Sequence, residues 1–142
     1  MKKLLLIAFL FFYSGSAWAA CNTTPGADTT TTTYECEDGN TLTINSGITV
    51  SRNASNTRLL TNVVDSTNHN NVTIINNGTM TNERSGTIYL KDTGGHTITN
   101  TGTITGDSYA VWITGSNGAT ITNSGTITGQ KYGGITSTGW LT

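Results

Sequence analysis

The chain has 142 residues, and more than half of them are Thr (31), Gly (17), Asn (15) or Ser (11). Such a mixture of β-branched and turn-forming residues excludes a helical bundle and favours short strands separated by turns. Charged residues make up 11% with a formal net charge of −1, which excludes the dense basic footprint of a nucleic-acid binder and disorder driven by charge repulsion.

Residues 1–19 open with Lys2 and Lys3, continue through an apolar run from Leu4 to Tyr13, and end Ser16-Ala17-Trp18-Ala19. A positive start, a short apolar stretch and small residues at A-x-A positions form a secretory signal peptide, with cleavage expected after Ala19. The apolar run is shorter than the roughly 20 residues a spanning helix needs. No second apolar segment follows, so the mature chain is expected to leave the cytoplasm without stable membrane insertion. Lipidation at Cys21 is disfavoured, since Trp18 stands where a lipoprotein signal carries Leu.

Residues 20–40 form the next segment and hold both cysteines, Cys21 and Cys36. In an exported chain this pair is expected to form a disulfide that closes an N-terminal cap. Glu35 and Asp38 flank Cys36, but their spacing is not that of an oxygen-ligand metal site, and no metal or other cofactor is expected.

From residue 41 to 142 the sequence repeats. Thr97-Ile98-Thr99-Asn100-Thr101-Gly102-Thr103-Ile104-Thr105-Gly106 returns 23 residues later as Thr120-Ile121-Thr122-Asn123-Ser124-Gly125-Thr126-Ile127-Thr128-Gly129. An earlier copy, Asn76-Asn77-Gly78-Thr79-Met80-Thr81, lies 24 residues upstream of Asn100, and a fainter one begins 31 further back at Asn45. A second strand recurs as Ile88-Tyr89-Leu90 and Val111-Trp112-Ile113. Short alternating strands at this period predict an all-β parallel solenoid with coils of about 23 residues.

Strand alternation then sets the faces. Met80, Ile104 and Ile127 are expected to form an internal column, with the flanking Thr outward. Asn76, Asn100 and Asn123 fall at one turn position where their amides can ladder between coils. Gly78, Gly102 and Gly125 are expected there for a backbone conformation that other residues resist. Tyr89 and Trp112 are expected to point outward on adjacent coils, where they form a candidate contact surface as well as a stabilising cross-strand pair.

The Asn-x-Gly-Thr-Ile-x-Gly phrase, the signal peptide and the few, close cysteines resemble the passenger region of bacterial autotransporters, over roughly residues 41–142. That resemblance implies a right-handed β-helix, haemagglutinin- or adhesin-like, secreted or displayed at the outer membrane, with a host-cell or matrix protein or a glycan as partner. The family's C-terminal membrane barrel has no counterpart before Thr142. Together with the weak Gly133-Gly134-Ile135-Thr136 strand, this raises the expectation of a fragment or truncated reading frame.

No enzyme motif is present: the Asp residues are scattered, and neither His69 nor His96 belongs to a recognisable constellation. The expected function is therefore non-enzymatic. Two alternatives stand beside it. One is a passenger whose catalytic part is missing. The other is an ice-binding solenoid using the Thr-x-Thr columns at 79/81, 103/105 and 126/128, which Ile48-Thr49-Val50 would interrupt.

Overall fold

Thr and Ile alternate within each repeat, and the computed structural model turns that alternation into stacked coils. It describes residues 18–30, 33–64, 66–91, 94–115, 119–139 and 141–142. The expected signal peptide lies outside the described residues except at its end, where Trp18 and Ala19 enter a short strand with Ala20.

The N-terminal strands are β1 (Trp18–Ala20), β2 (Thr29–Thr30) and β3 (Thr33–Glu35). The first full coil contains β4 (Thr41–Ile44), β5 (Thr49–Arg52) and β6 (Leu60–Thr61), followed by an antiparallel hairpin of β7 (Val63–Val64) and β8 (Thr67–Asn68). Three regular coils follow: β9 (Thr73–Asn76), β10 (Thr79–Asn82) and β11 (Ile88–Lys91); β12 (His96–Asn100), β13 (Thr103–Gly106) and β14 (Val111–Thr114); β15 (Ala119–Asn123), β16 (Thr126–Gly129) and β17 (Ile135–Ser137).

Corresponding strands pair in parallel, giving three sheets in the orders β1-β3-β6-β11-β14-β17, β16-β13-β10-β5-β2 and β15-β12-β9-β4. The chain is a parallel β-solenoid. Its N-terminal segment is laddered into the same sheets, with β3 between β1 and β6 and β2 at the edge beside β5. Cys21 and Cys36 are disulfide-bonded with their Cα atoms 4.7 Å apart. Both are fully buried, and closing a loop of this length stabilises the end of the solenoid by about 3 kcal/mol.

The core is a set of columns running along the axis. Leu42, Ile74, Ile98 and Ile121 stack in one sheet, and Val50, Met80, Ile104 and Ile127 in the second. Leu60, Ile88, Val111 and Ile135 stack in the third. The first three members of each column are fully buried, and each such side chain contributes roughly 1.5–3 kcal/mol of apolar burial. Burial falls off in the last coil. The large apolar side chains exposed among the described residues, Tyr132, Ile135 and Leu141, all belong to it. There β16 and β17 each pair with one strand only, and β15 with one strand plus an isolated bridge to Leu141.

The asparagine ladder forms as expected. Asn76 Nδ2 donates to Asn100 Oδ1 at 2.6 Å, and Asn100 Nδ2 donates to Asn123 Oδ1 at 2.7 Å. The Nδ2 atoms of Asn76, Asn100 and Asn123 also reach the carbonyls of Gly78, Gly102 and Gly125 two residues on, and those of Asn76 and Asn100 reach Thr103 and Thr126 in the next coil. The glycines serve a different purpose from the one expected. None of Gly78, Gly102 or Gly125 has positive φ. Instead, a Cβ at Gly102 would fall on the carbonyl oxygen of Gly78, and one at Gly125 on that of Gly102. Close approach of stacked backbones, rather than a left-handed conformation, requires glycine here.

The faint early copy also shifts. Asn76 pairs with Ile44 and Thr79 with Thr49, so the spacing is 32 in one sheet and 30 in the next rather than a uniform 31. Two extra turn residues, within Asn45–Ile48, account for the difference; Gly47 there takes φ +80°. Because Ile44 replaces an asparagine at the ladder position, Asn76 Oδ1 is buried without a partner. His96 occupies a buried site at the start of β12, where its Nδ1 accepts from the Val72 N–H at 3.3 Å. Burial holds this imidazole below its ordinary pKa range.

The register yields a direct test. Ile104→Ala should cost about 2–5 kcal/mol of stability through lost burial and a residual cavity, whereas Thr105→Ser, on the outward face, should stay within about 0.5 kcal/mol. Denaturant melts followed by circular dichroism measure both, and equal stability of the two variants would contradict the assigned faces.

Candidate functional site

Alternation along β11 and β14 places Leu90 and Ile113 inside and leaves Tyr89 and Trp112 outside, as expected. The two aromatics are register partners on adjacent coils, with ring centroids 4.8 Å apart at an interplanar angle of 41°. Both are half-buried rather than freely exposed, because two residues outside these strands pack against them.

The first is Tyr109, on the corner entering β14. Its ring meets Trp112 edge-on at 5.0 Å. Room for it comes from Gly86 one coil below, where an added Cβ would collide with the Tyr109 ring. The second is Arg58, from the corner before β6. Its guanidinium carbon lies 5.5, 5.1 and 5.8 Å from the ring centroids of Tyr89, Tyr109 and Trp112, within the range of cation–π attraction. Arg58 Nη1 donates to Ser85 Oγ at 2.8 Å, while its Nε is buried without an acceptor. Three rings and one guanidinium thus form a packed cluster along the coil corners.

Beside this cluster runs a groove of about 660 Å³. Its walls carry the exposed Arg84, the hydroxyls of Ser108, Thr136 and Thr138, the exposed ring of Tyr132, and Trp112. Lys131 and Asp107, from adjacent coils, close one part of it with an ion pair of 2.7 Å. That hydrogen bond and the carboxylate charge raise the Lys131 pKa; the pair is solvent-exposed on the lysine side, so its value lies in shaping the groove rather than in stability. Burial, opposed by Arg58, pushes the Tyr109 hydroxyl up to about 12.

The sequence pointed to Tyr89 and Trp112 but missed Arg58, Tyr109 and the Lys131–Asp107 pair. A signal existed for some of these: Gly106-Asp107-Ser108-Tyr109 and Gly129-Gln130-Lys131-Tyr132 continue the 23-residue repeat beyond the strands. Only one of the two tyrosines is buried, since Val111 pairs with Ile135, 24 residues on, while Ile104 pairs with Ile127, 23 on. The surplus residue after β16 leaves Tyr132 out of Tyr109's position. Nothing in the sequence marked Arg58, which reaches the rings from another coil.

Two further features lie outside the groove. The ladder residues Asn76, Asn100 and Asn123 and their glycines hold coil to coil. The Thr-x-Thr columns are longer than expected: with Thr49 paired to Thr79 and Ser51 to Thr81, Val50 points inward and does not interrupt the outward array. Among the described residues no group of three or more His, Cys, Asp or Glu side chains comes together as a metal site. No protein-family model, curated protein or solved structure matches this chain.

The Tyr109 hydroxyl predicts an alkaline liability. Since its folded pKa lies above the ordinary value, the unfolded chain ionises first, and stability is lost as pH rises through about 10 towards 12. Tyr109→Phe removes that contribution, so the melting temperature of the variant should gain on the original protein between about pH 9 and pH 11. A difference independent of pH would contradict the assignment.

Proposed function

We propose that this chain is an exported, non-enzymatic β-solenoid of the autotransporter-passenger type, acting as an adhesin-like module at the cell surface. The groove beside Tyr89, Trp112 and Arg58 carries the reading. Elsewhere the outward strand positions are mostly Thr, whereas here aromatic area and cations converge on one concave strip, the composition that recognition surfaces favour. The disulfide agrees with an oxidising destination, and the leader-like residues 1–19 agree with export.

The column itself supplies conservative replacements for a test. Thr61 lies below Tyr89 and Thr136 above Trp112 in the same register, so Tyr89→Thr and Trp112→Thr fit the strand. The double variant should weaken adhesion of displayed protein to epithelial cells or matrix by about tenfold or more, as loss of an aromatic anchor does, with its circular dichroism spectrum preserved. Full adhesion by a folded double variant would overturn the reading.

One observation favours a second reading, ice binding. The corrected register extends the outward hydroxyl pairs over four coils, from Thr49 and Ser51 to Thr126 and Thr128. Thermal hysteresis of the purified protein should be absent under the adhesin reading. Hysteresis abolished by Thr103→Lys would establish the ice-binding one.

A further inference from the structure

We propose that the groove binds an acidic saccharide, with the sugar ring stacked on Trp112 and its carboxylate held by Arg84. This deepens the adhesin reading and rests on it. Three observations carry the ligand class.

The first is charge. The groove gathers three cations, Arg58, Arg84 and Lys131, against the single carboxylate of Asp107, in a chain whose formal net charge is −1. Local positive charge on a mildly acidic protein selects an anion at short range.

The second is the division of labour among those cations. Lys131 is paired with Asp107 at 2.7 Å, and Arg58 is spent on three rings and Ser85. Arg84 is exposed, and its side chain makes no hydrogen bond or ion pair with the described residues; only its backbone N–H is engaged, with Asn82 Oδ1. A free guanidinium presents a planar fork that matches a carboxylate bidentately.

The third is the remaining lining. Ser108, Thr136 and Thr138 offer hydroxyls, and the exposed ring of Tyr132 with the half-buried Trp112 offers aromatic surface. Alternating hydroxyl and aromatic surface suits a pyranose, which has a polar rim and an apolar C–H face. A volume of about 660 Å³ lies within the usual range of small-ligand sites and accommodates one to two sugar units. An acidic peptide would satisfy Arg84 equally, yet it carries no ring with a hydroxyl rim and a C–H face to set against Ser108, Thr138 and the aromatic side chains together.

The test titrates the protein with a galacturonic acid tetramer and with its carboxyl-reduced, neutral counterpart, using calorimetry. The tetramer should bind, the neutral form should bind at least about tenfold more weakly, and raising the salt from about 20 to 500 mM should weaken the acidic ligand alone. Arg84→Gln, a surface change that leaves the core untouched, should reduce acidic binding to the level of the neutral sugar. Equal binding of both sugars, or full acidic binding by Arg84→Gln, overturns the inference. If neither sugar binds while adhesion still depends on Tyr89 and Trp112, the acidic-saccharide inference fails and the adhesin reading stands. If adhesion is also indifferent to those residues, both fail.

Discussion

Parallel register between successive coils is the constraint on which everything else in this protein depends. A single coil cannot bury its own inward residues; each apolar side chain is covered by the equivalent residue above and below. A slip of one residue would send every Ile of a strand to the outside and every Thr to the inside. Backbone ladders permit such slips, since a Thr-rich strand hydrogen-bonds equally well in neighbouring registers. What removes the degeneracy is side-chain chemistry at the turns. The two N–H groups of Asn100 Nδ2 are shared among the Gly102 carbonyl of its own coil and Asn123 Oδ1 and the Thr126 carbonyl of the next, and only one register brings the last two within reach together.

Glycine enforces the same register from the other direction. Gly78, Gly102 and Gly125 lie so near the backbone of the coil below that no side chain fits between them. A shifted coil would bring Thr101 or Thr103 to that position and force the backbones apart. The amide ladder attracts in register and the steric wall repels out of it. Where the ladder lacks a member, at Ile44, a buried oxygen on Asn76 is left unpaired, a local cost that the packing of Leu42 and Ile44 in the same strand offsets.

This explains which parts were legible in the sequence. Periodicity gave the solenoid, the inward Met80 and Ile104, the Asn ladder and the outward Tyr89–Trp112 pair, because each depends on position within a repeat. The Cys21–Cys36 bridge followed from there being only two cysteines. The early coil was misread by one residue in each sheet, since a turn can lengthen by two residues while the flanking strands keep their pairing. The β7–β8 hairpin was not foreseen either. It is pinned by Asn62, which donates to the carbonyls of His69 and Lys91 and accepts from the Lys91 N–H. The His69 contact joins residues 7 apart and the Lys91 contacts residues 29 apart, and neither spacing leaves a periodic trace.

The groove belongs to the class of features that a repeat hides. Most of its parts come from the same corner of successive coils, Arg58 in the first, Ser85 and Arg84 in the second, Tyr109 in the third and Lys131 and Tyr132 in the fourth, beside Trp112 on strand β14. Corners tolerate changes in length and composition that the strands forbid, because their side chains are not required to stack in columns. The extra residue between β16 and β17 shows the consequence. It leaves the three sheets paired, yet it moves Tyr132 from the buried position of Tyr109 to one that is 72% exposed. A one-residue change at a corner thus converts a packing aromatic into a groove-lining one at little cost to the core. The rigid strands hold four corners in fixed relation, and the variable corners supply the chemistry. In such a scaffold recognition is distributed across coils, so the residues that act together are separated by about one period in sequence and are found only once the register is known.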